Sequence, residues 1–265
     1  MKTLQGKTVL LTGASSGLGP HIARRLDGAG AKLILSARNK AALDELADEL
    51  RSARVIVADL SRKGAPERLA EAAGRVDVLV SNAGVPATGR LVSRAVADID
   101  RALAVNLRAG MVLARLLLPQ MVKRGAGHVV FMSSIAGKVP APGISIYNAT
   151  KFALRGFGLA LREELWRTGV GVSVICPTFV SESGMWADTG MKANPLAGEV
   201  RPAQVADAVL TAITKNRAEI DVFGPQVKAG LVVQLLAPEL FSAVERRTGA
   251  AKDADRAAER LRRKR

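Results

Sequence analysis

Tyr147 and Lys151 are the two residues whose types and spacing most directly suggest chemistry in this chain. They are four positions apart, so on a helix both side chains lie on one face, one turn from each other. A nearby ammonium favours phenolate over phenol, and we therefore expect the pKa of Tyr147 to fall from about 10 towards neutral pH. A tyrosine tuned in this way can give or take a proton. The same spacing also occurs by chance on solvated helices, so the interpretation depends on the other motifs of the chain.

A glycine-rich turn follows the first apolar run, Lys7 to Thr12, and precedes a helical pattern from His21 to Ala29. Glycines allow the backbone to approach a ligand closely, and a helix N-terminus offers unpaired N–H groups and the positive end of the helix dipole. The order of strand, glycine turn and helix predicts a phosphate site, and the alternative is an ordinary strand-to-helix turn. The candidate cofactor residues of this turn are Gly13, Ser15, Ser16, Gly17, Leu18 and Gly19.

The Thr-Gly-x-x-x-Gly-x-Gly pattern of the turn differs from the general Gly-x-Gly-x-x-Gly fingerprint. It resembles the cofactor turn of the classical short-chain dehydrogenase/reductase family, and the resemblance extends from about residue 7 to residue 221. By that resemblance Ser134, thirteen residues before Tyr147, hydrogen-bonds the substrate oxygen. Asn106 lies inside a helical pattern, where asparagine is unfavourable; the resemblance implies that it holds a water beside Lys151, and the alternative is a tolerated polar side chain. The implied catalytic set is Asn106, Ser134, Tyr147 and Lys151.

The resemblance also implies contacts with a dinucleotide at the ends of other strands. Asp59 would contact the adenine amino group, although it could equally cap the end of the third strand. Residues 81–84 resemble the family's Asn-Asn-Ala-Gly turn, with Ser81 replacing the first Asn. Thr178 stands where the family has the Gly of a Pro-Gly turn, which leaves the loop geometry beside the nicotinamide open. The further implied cofactor contacts are Leu60, Asn82, Ala83, Gly84, Tyr147, Lys151, Pro177 and Val180.

Arg38 follows the second apolar run at the position that distinguishes NAD from NADP. An acidic residue there would hydrogen-bond the ribose hydroxyls, whereas an arginine can hold a 2′-phosphate. No Asp or Glu lies between Lys32 and Ala42. We therefore predict NADP(H) in preference to NAD(H), with Arg38 as the phosphate clamp; the alternative is an ordinary surface charge.

Short apolar runs alternate with helical patterns along most of the chain, which predicts parallel strands covered by helices on both faces. We expect a single Rossmann-type, doubly wound α/β domain, and the family resemblance implies about seven strands in the order 3-2-1-4-5-6-7. Ligands of such sheets bind at the carboxyl ends of the strands, where all these motifs fall. The predicted divisions are a catalytic domain over 1–224 with a substrate lid at about 183–201, an amphipathic extension over 225–249 broken at Pro238, and a flexible basic tail over 250–265.

Six of the fifteen net positive charges lie in residues 246–265. Such a tail could contact nucleic acid or an anionic membrane. No aromatic side chain is interleaved with it to stack bases, so we expect a solvated helix end, no nucleic-acid partner, and peripheral membrane contact as an open alternative. Cys176 is the single cysteine, which excludes an intramolecular disulfide. The first strand leaves no room for a signal peptide; we expect a cytoplasmic protein without a metal site.

The motifs together predict an NADP(H)-dependent oxidoreductase that interconverts a carbonyl and an alcohol by hydride transfer. In reduction Tyr147 would donate the proton, Lys151 would lower its pKa and hold the nicotinamide ribose, and Asn106 would anchor a relaying water. The apolar extension resembles the tails of reductases that act on lipophilic carbonyls. The alternatives are a 3-oxoacyl-carrier-protein reductase and a catalytically silent NADP(H)-binding regulator. By resemblance, a homodimer or homotetramer is expected.

Overall fold

The computed structural model describes residues 1–193, 197–248, 255–257 and 259–260. Its strands are β1 (Thr8–Thr12), β2 (Lys32–Ala37), β3 (Ala53–Val57), β4 (Val78–Ser81), β5 (Gly127–Met132), β6 (Val170–Pro177), β7 (Phe179–Val180), β8 (Glu199–Val200) and β9 (Glu219–Val222). Its helices are α1 (Leu18–Gly28), α2 (Lys40–Asp48), α3 (Ala65–Ala73), α4 (Val96–Leu103), α5 (Ala109–Lys123), α6 (Ser145–Glu164), α7 (Pro202–Lys215), α8 (Pro225–Leu236) and α9 (Pro238–Thr248).

Seven of the described strands form one parallel sheet in the order β3-β2-β1-β4-β5-β6-β9. This confirms the predicted architecture and strand order. The seventh sheet strand is numbered β9 because β7 and β8, which the sequence patterns did not indicate, pair as a separate short ribbon.

The sheet is buried on both faces, as the continuous apolar runs of its strands require. Along β1, Val9 and Leu11 join one core cluster and Leu10 joins the other, because successive side chains point to opposite faces. The first cluster includes buried side chains of α1, α2 and α7, and the second includes those of α3, α5 and α6. In this three-layer arrangement of helices, sheet and helices, the carboxyl ends of β1, β4, β5 and β6 lie side by side.

The predicted long helix is interrupted between α4 and α5 by a π-helical segment, Ala104–Arg108. By length and composition, the helical region Val96–Lys123 could cross a membrane, but half of its most apolar window is buried inside the fold. Leu113 and Leu117 of α5, for example, lie in the core cluster with α3 and α6. The apolar character of this helix is therefore accounted for by packing against the sheet.

Helix α6 lies unusually close to the sheet because Gly158 faces it. A Cβ atom at Gly158 would lie 2.7 Å from a methyl group of Val174 and 3.0 Å from the ring of Phe131. The Phe131 ring also makes an edge contact with Phe157, at 5.5 Å between ring centroids. These contacts fix the height of α6 over β5 and β6, and with it the position of Tyr147 and Lys151 in its first two turns.

The predicted C-terminal extension is a helical hairpin, broken before Pro238. Its first helix departs from the amphipathic expectation, since α8 contains no fully buried residue. Gln234 lies on its half-buried side, whereas Leu235 and Leu236 are 78% and 77% exposed. Of the predicted basic tail, residues 250–254, 258 and 261–265 lie outside the described residues, as do residues 194–196 of the predicted lid. Helical structure is assigned to residues 255–257 and 259–260.

Candidate active site

The structure brings Ser134 and Tyr147 together at the carboxyl end of β5. Ser134 caps the short 3₁₀ helix Ile135–Gly137, and its Oγ accepts a hydrogen bond from the Ala136 N–H at 3.1 Å. Tyr147 lies in the first turn of α6, and its side chain is hydrogen-bonded to Ser134. A substrate oxygen placed between these two hydroxyls would meet two hydrogen-bonding groups at once.

Lys151 lies one turn further along α6 and is almost completely buried, with 3% of its surface exposed. Its Nζ donates a hydrogen bond to the Met132 carbonyl oxygen at 2.7 Å and lies 5.4 Å from the centroid of the Tyr147 ring. A buried ammonium needs an acceptor, and the last carbonyl of β5 supplies one. The predicted pairing of the two side chains on one helix face is present.

The expected fall in the pKa of Tyr147 is not found. Loss of water around the half-buried phenol raises its pKa to about 12, and the hydrogen bond with Ser134 opposes this only in part. The prediction assumed that the positive charge of Lys151 would be the largest influence on the pKa of Tyr147. In the structure the ammonium is hydrogen-bonded to the Met132 carbonyl, and the loss of water around the phenol has the larger effect. Burial also lowers the pKa of Lys151 to about 8. At neutral pH this arrangement is a neutral phenol beside a cationic lysine, which suits proton donation.

Asn106 sits in the middle of the π-helical segment, which explains how an unfavourable helix residue is accommodated. Its Oδ1 accepts a hydrogen bond from the Val85 N–H at 2.7 Å, and its Nδ2 donates to the Val85 carbonyl at 3.0 Å and to Thr150 Oγ1 at 3.4 Å. Thr150 Oγ1 in turn donates to the Tyr147 carbonyl at 2.8 Å. Single π-turns within α-helices are frequent at functional sites, and this one ties the loop after β4 to the helix of Tyr147.

Sequence reasoning missed Asn148, which organises the loop before α6. Its Nδ2 donates to the carbonyls of Ala136 and Val139 at 2.7 and 2.8 Å, and its Oδ1 accepts from the Ala141 N–H at 3.1 Å. The side chain therefore fastens the segment that follows Ser134 to the start of α6. The sequence did contain a signal for this role, because Asn148 is a polar residue next to Tyr147 at a helical position that is buried.

The glycine turn has the geometry that its sequence predicts. Gly13 and Gly17 adopt left-handed φ values of +66° and +57°. A Cβ at Gly13 would lie 2.8 Å from the Cα of Ala83, so β1 and the loop after β4 touch through backbone alone. Asn82 ties these strand ends together, because its Nδ2 donates to the carbonyls of Thr12 and Gly13 at 3.1 and 3.2 Å. Helix α1 begins immediately after Gly17, and its N-terminus can receive a phosphate.

The lid approaches this turn directly. Ser183 Oγ donates to the Gly17 carbonyl at 3.3 Å, and the Met185 methyl group lies close to Gly84. Of the other predicted residues of the glycine turn, Ser15 and Leu18 are half-buried, Ser16 is exposed and Gly19 is buried; Gly84, in the loop after β4, is half-buried.

Arg38 and Asp59 lie near each other beyond the ends of β2 and β3. The Asp59 carboxylate accepts hydrogen bonds from the backbone N–H and the hydroxyl of Ser61, at 3.1 and 2.7 Å. These bonds, together with the charges of Arg38 and Arg62, lower the pKa of Asp59. Asp59 thus acts as a cap at the strand end, the alternative that the sequence left open, and its predicted adenine contact stays a prediction. Arg38 is exposed and accessible to a ligand.

Thr178 is accommodated in the loop after β6 without a left-handed backbone, since the described non-glycine residues with positive φ are Arg167, Glu182 and Asn216. Its Oγ1 donates to the Ala197 carbonyl at 3.1 Å and so anchors the far end of the lid. Pro177 ends β6, and Val180 belongs to the β7–β8 ribbon at the base of the lid. The replacement of Gly by Thr is therefore compatible with this turn.

A network of charges connects the two elements that carry the predicted catalytic groups. Arg155, one turn beyond Lys151 on the same face of α6, makes two hydrogen bonds to Glu219 of β9, at 2.9 and 3.0 Å. Lys138, just after the 3₁₀ helix of Ser134, pairs with Glu219 and Asp221 at 2.5 and 2.6 Å. Two cations thus neutralise the two carboxylates, and Cys176 Sγ lies 3.4 Å from Glu219. Although these acids and the thiol are close enough to hold a metal ion, Lys138 occupies that position.

The comparisons with known proteins agree with this fold. The profile of the family described as short chain dehydrogenase matches residues 7–194. Ketoacyl reductase HetN of Nostoc sp. is 39% identical over 89% of this chain and 85% of its own length. Among solved structures, a variant of actinorhodin polyketide ketoreductase with NADPH aligns at a TM-score of 0.76 and 30% identity over 85% and 99% of the two chains. A metagenomic short-chain oxidoreductase in complex with NADP aligns at 0.69 and 34%, over 83% and 97%.

The chain therefore belongs to the short-chain dehydrogenase family and is an oxidoreductase. This favours the enzyme over the catalytically silent regulator.

Replacing Glu219 by Gln is expected to destabilise the fold with a specific pH signature. Arg155 and Lys138 hold the pKa of Glu219 at about 2, below its ordinary value of 4.5. A lowered carboxyl pKa stabilises the fold above about pH 4.5, and the effect is lost as pH falls towards 2. The corresponding free energy is at most about 3 kcal/mol, so urea unfolding of Glu219→Gln should differ from wild type at pH 7 and converge with it near pH 2.

The matched control is Glu49→Gln, which removes an exposed ion pair with Arg24. It should change the unfolding midpoint much less, because exposed pairs contribute little. Equal effects of the two substitutions at pH 7 would contradict a structural role for the Glu219 network.

Proposed function

We propose that the protein reduces the carbonyl group of a lipophilic substrate with NADPH, and that the reverse oxidation uses the same site. The observation that carries this proposal is the hydrogen-bonded pair of Ser134 and Tyr147 beside the buried cation of Lys151. A neutral phenol with a high pKa is a proton donor, and it stands where a substrate oxygen could accept from it. In this proposal Tyr147 is the acid of the reaction and Ser134 orients the carbonyl.

The residues around the cleft fit a dinucleotide. The left-handed glycines let the backbone approach a ligand closely at the start of α1, and the missing Cβ of Gly13 lets the turn contact the loop after β4. Bound NADPH would supply the hydride. Lys151 would hold the nicotinamide ribose with its ammonium, and Asn106 would hold a water from which protons return to Tyr147 through Lys151. Arg38 would bind the 2′-phosphate of the adenosine end.

The substrate side of the cleft supports a lipophilic ligand. The lid contributes Met185, Trp186 and Met191, and the ring of Trp186 packs against that of Phe179, with 4.3 Å between centroids and 50° between the ring planes. Relatives named as ketoacyl and polyketide ketoreductases favour a 3-oxoacyl chain as the substrate class. Whether such a chain is free or attached to a carrier protein distinguishes the main proposal from the 3-oxoacyl-carrier-protein alternative.

We also propose that the chain forms homo-oligomers through α5 and α6, where Leu116 and Phe152 are 42% and 41% exposed.

The exposed leucines of the α8–α9 hairpin support a further proposal, peripheral contact with an anionic membrane. The hairpin precedes the most basic part of the sequence, and apolar and basic groups together favour an anionic lipid surface. A cytoplasmic location remains a prediction.

Replacing Tyr147 by Phe should reduce the rate of carbonyl reduction by about 10²- to 10⁴-fold, the usual contribution of a positioned acid. NADPH binding, measured by fluorescence titration, should be nearly unchanged.

In the wild type, kcat/KM for reduction should fall as pH rises through about 8, because Lys151 loses its charge there while Tyr147 stays protonated.

Tyr147 is the only tyrosine of the sequence, so ultraviolet difference titration reads its ionisation directly. Ionisation below pH 10 in the cofactor-free enzyme would contradict the burial effect, and substantial turnover by Tyr147→Phe would remove this residue from the acid role.

Replacing Arg38 by Ala should raise KM for NADPH by about ten-fold or more, because a charge-assisted hydrogen bond to the 2′-phosphate is lost. KM for NADH, which lacks that phosphate, should change little. Arg62→Ala is the matched control, since Arg62 also lies beside Asp59 and is exposed. Equal losses with both cofactors, or equal effects of the two substitutions, would remove Arg38 as the clamp.

For the membrane proposal, wild-type protein should co-sediment with vesicles containing anionic lipid, and less so at high salt. The Leu235→Glu, Leu236→Glu double variant should lose this binding, whereas Val57→Glu on the exposed edge strand β3 should retain it. Failure of the wild type to bind anionic vesicles would exclude membrane contact. Equal binding by the double variant would exclude the hairpin as the contact site.

A further inference from the structure

The described part of the C-terminal tail returns to the catalytic domain. This segment, residues 255–257 and 259–260, is called the strap here. Asp255 accepts three hydrogen bonds from the Arg90 guanidinium, at 2.7 to 3.2 Å. Arg260 Nη1 donates to the Thr189 carbonyl at 3.0 Å, and Ala257 between these anchors is 6% exposed. The strap is therefore packed on the domain at both ends and in its middle.

The two anchors belong to two segments that are bonded to different parts of the candidate site. Arg90 belongs to the loop after β4, and the neighbouring Gly89 N–H donates to the Gly143 carbonyl at 2.7 Å, four residues before Tyr147. Thr189 belongs to the lid, whose start is bonded to the glycine turn through Ser183 and Gly17. The segment of Arg90 is thus bonded to the loop that leads into the helix of Tyr147, and the segment of Thr189 continues from the part of the lid that is bonded to the cofactor turn. We take these two segments as the walls of the proposed cleft. The described residues of the strap contact both of them.

We propose that the strap forms the outer wall of the substrate cleft and selects free 3-oxoacyl substrates over the same acyl groups attached to a carrier protein. This inference rests on the proposed function. A free substrate can be enclosed between the walls and the strap. A carrier-attached chain has an arm that extends out of the cleft during the reaction, so the strap must be displaced to admit it.

The anchors are suited to a barrier that opens and closes. Arg90 and Asp255 have side chains that are 69% and 37% exposed, and exposed pairs of this kind are individually weak. The Arg90–Asp255 anchor is thus a weak, direction-specific contact, which thermal opening can break in each turnover. Loss of one anchor is expected to shift the open fraction by a few fold.

Charge reversal tests the strap in the full-length protein. Arg90→Asp and Asp255→Arg each place like charges together, and the double variant restores an opposite pair. Hydrogen exchange of the lid, residues 183–193, is measured with NADPH and without substrate. We expect exchange to accelerate about two- to five-fold in each single variant and to return to the wild-type rate in the double variant. Arg247→Asp, which changes the charge of an exposed arginine in α9, is the matched control and should not alter lid exchange.

The same variants are then assayed with a short 3-oxoacyl group, presented as an N-acetylcysteamine thioester and on an acyl carrier protein. The ratio of kcat/KM for carrier-attached to free substrate should rise about five-fold in each single variant and return in the double variant. Unchanged lid exchange, an unchanged ratio, or no recovery in the double variant would overturn the proposal. If lid exchange responds as expected but neither thioester is reduced, the strap contacts are supported and the proposed function is the part that fails.

Discussion

The site depends on one buried contact, the hydrogen bond from the Lys151 ammonium to the carbonyl oxygen of Met132. A cation with 3% exposure is stable only where an acceptor meets it. The last carbonyl of a parallel strand is such an acceptor, because the ladder leaves it unused at the carboxyl end of β5. The contact fixes α6 to the sheet edge at one point and Gly158 allows the close approach further along. Tyr147, one turn earlier, is thereby aimed at Ser134.

The surroundings of this contact explain why so many polar residues lie at one edge of the sheet. Asn106 and Asn148 each satisfy two or more backbone groups of irregular segments, and the network of Lys138, Arg155 and Glu219 holds the Ser134 loop and α6 to β9. Irregular backbone has no ladder of its own, so it needs side chains as partners. The polar side chains that surround the candidate site thus have a structural reason as well as a chemical one.

Burial decides the protonation states more strongly than the neighbouring charge does. From the sequence, the spacing of Tyr147 and Lys151 predicts a lowered phenol pKa, because the ammonium is the nearest evident charge. In the folded protein the removal of water raises the pKa of the phenol and lowers that of the amine, so at neutral pH the phenol is neutral and the amine still carries its charge. A neutral phenol favours proton donation, which is the step that carbonyl reduction needs. The phosphates of a bound dinucleotide would add negative charge to this site.

The sequence by itself determined most of the elements and the parallel α/β class, because apolar runs and glycine positions are local signals that such a domain repeats; the order of the sheet followed from the family resemblance. The spacing of Tyr147 and Lys151 indicated a reactive pair, and the family resemblance added Asn106 and Ser134 to it. Asn148, the Glu219 network, the β7–β8 ribbon and the strap were decided by the tertiary structure alone. Their partners lie far away in the chain, as with Arg90 and Asp255, or depend on how loops without periodic patterns close. Whether a side chain at such a position meets solvent, a carbonyl or an opposite charge is a property of the packed molecule, and no local pattern encodes it.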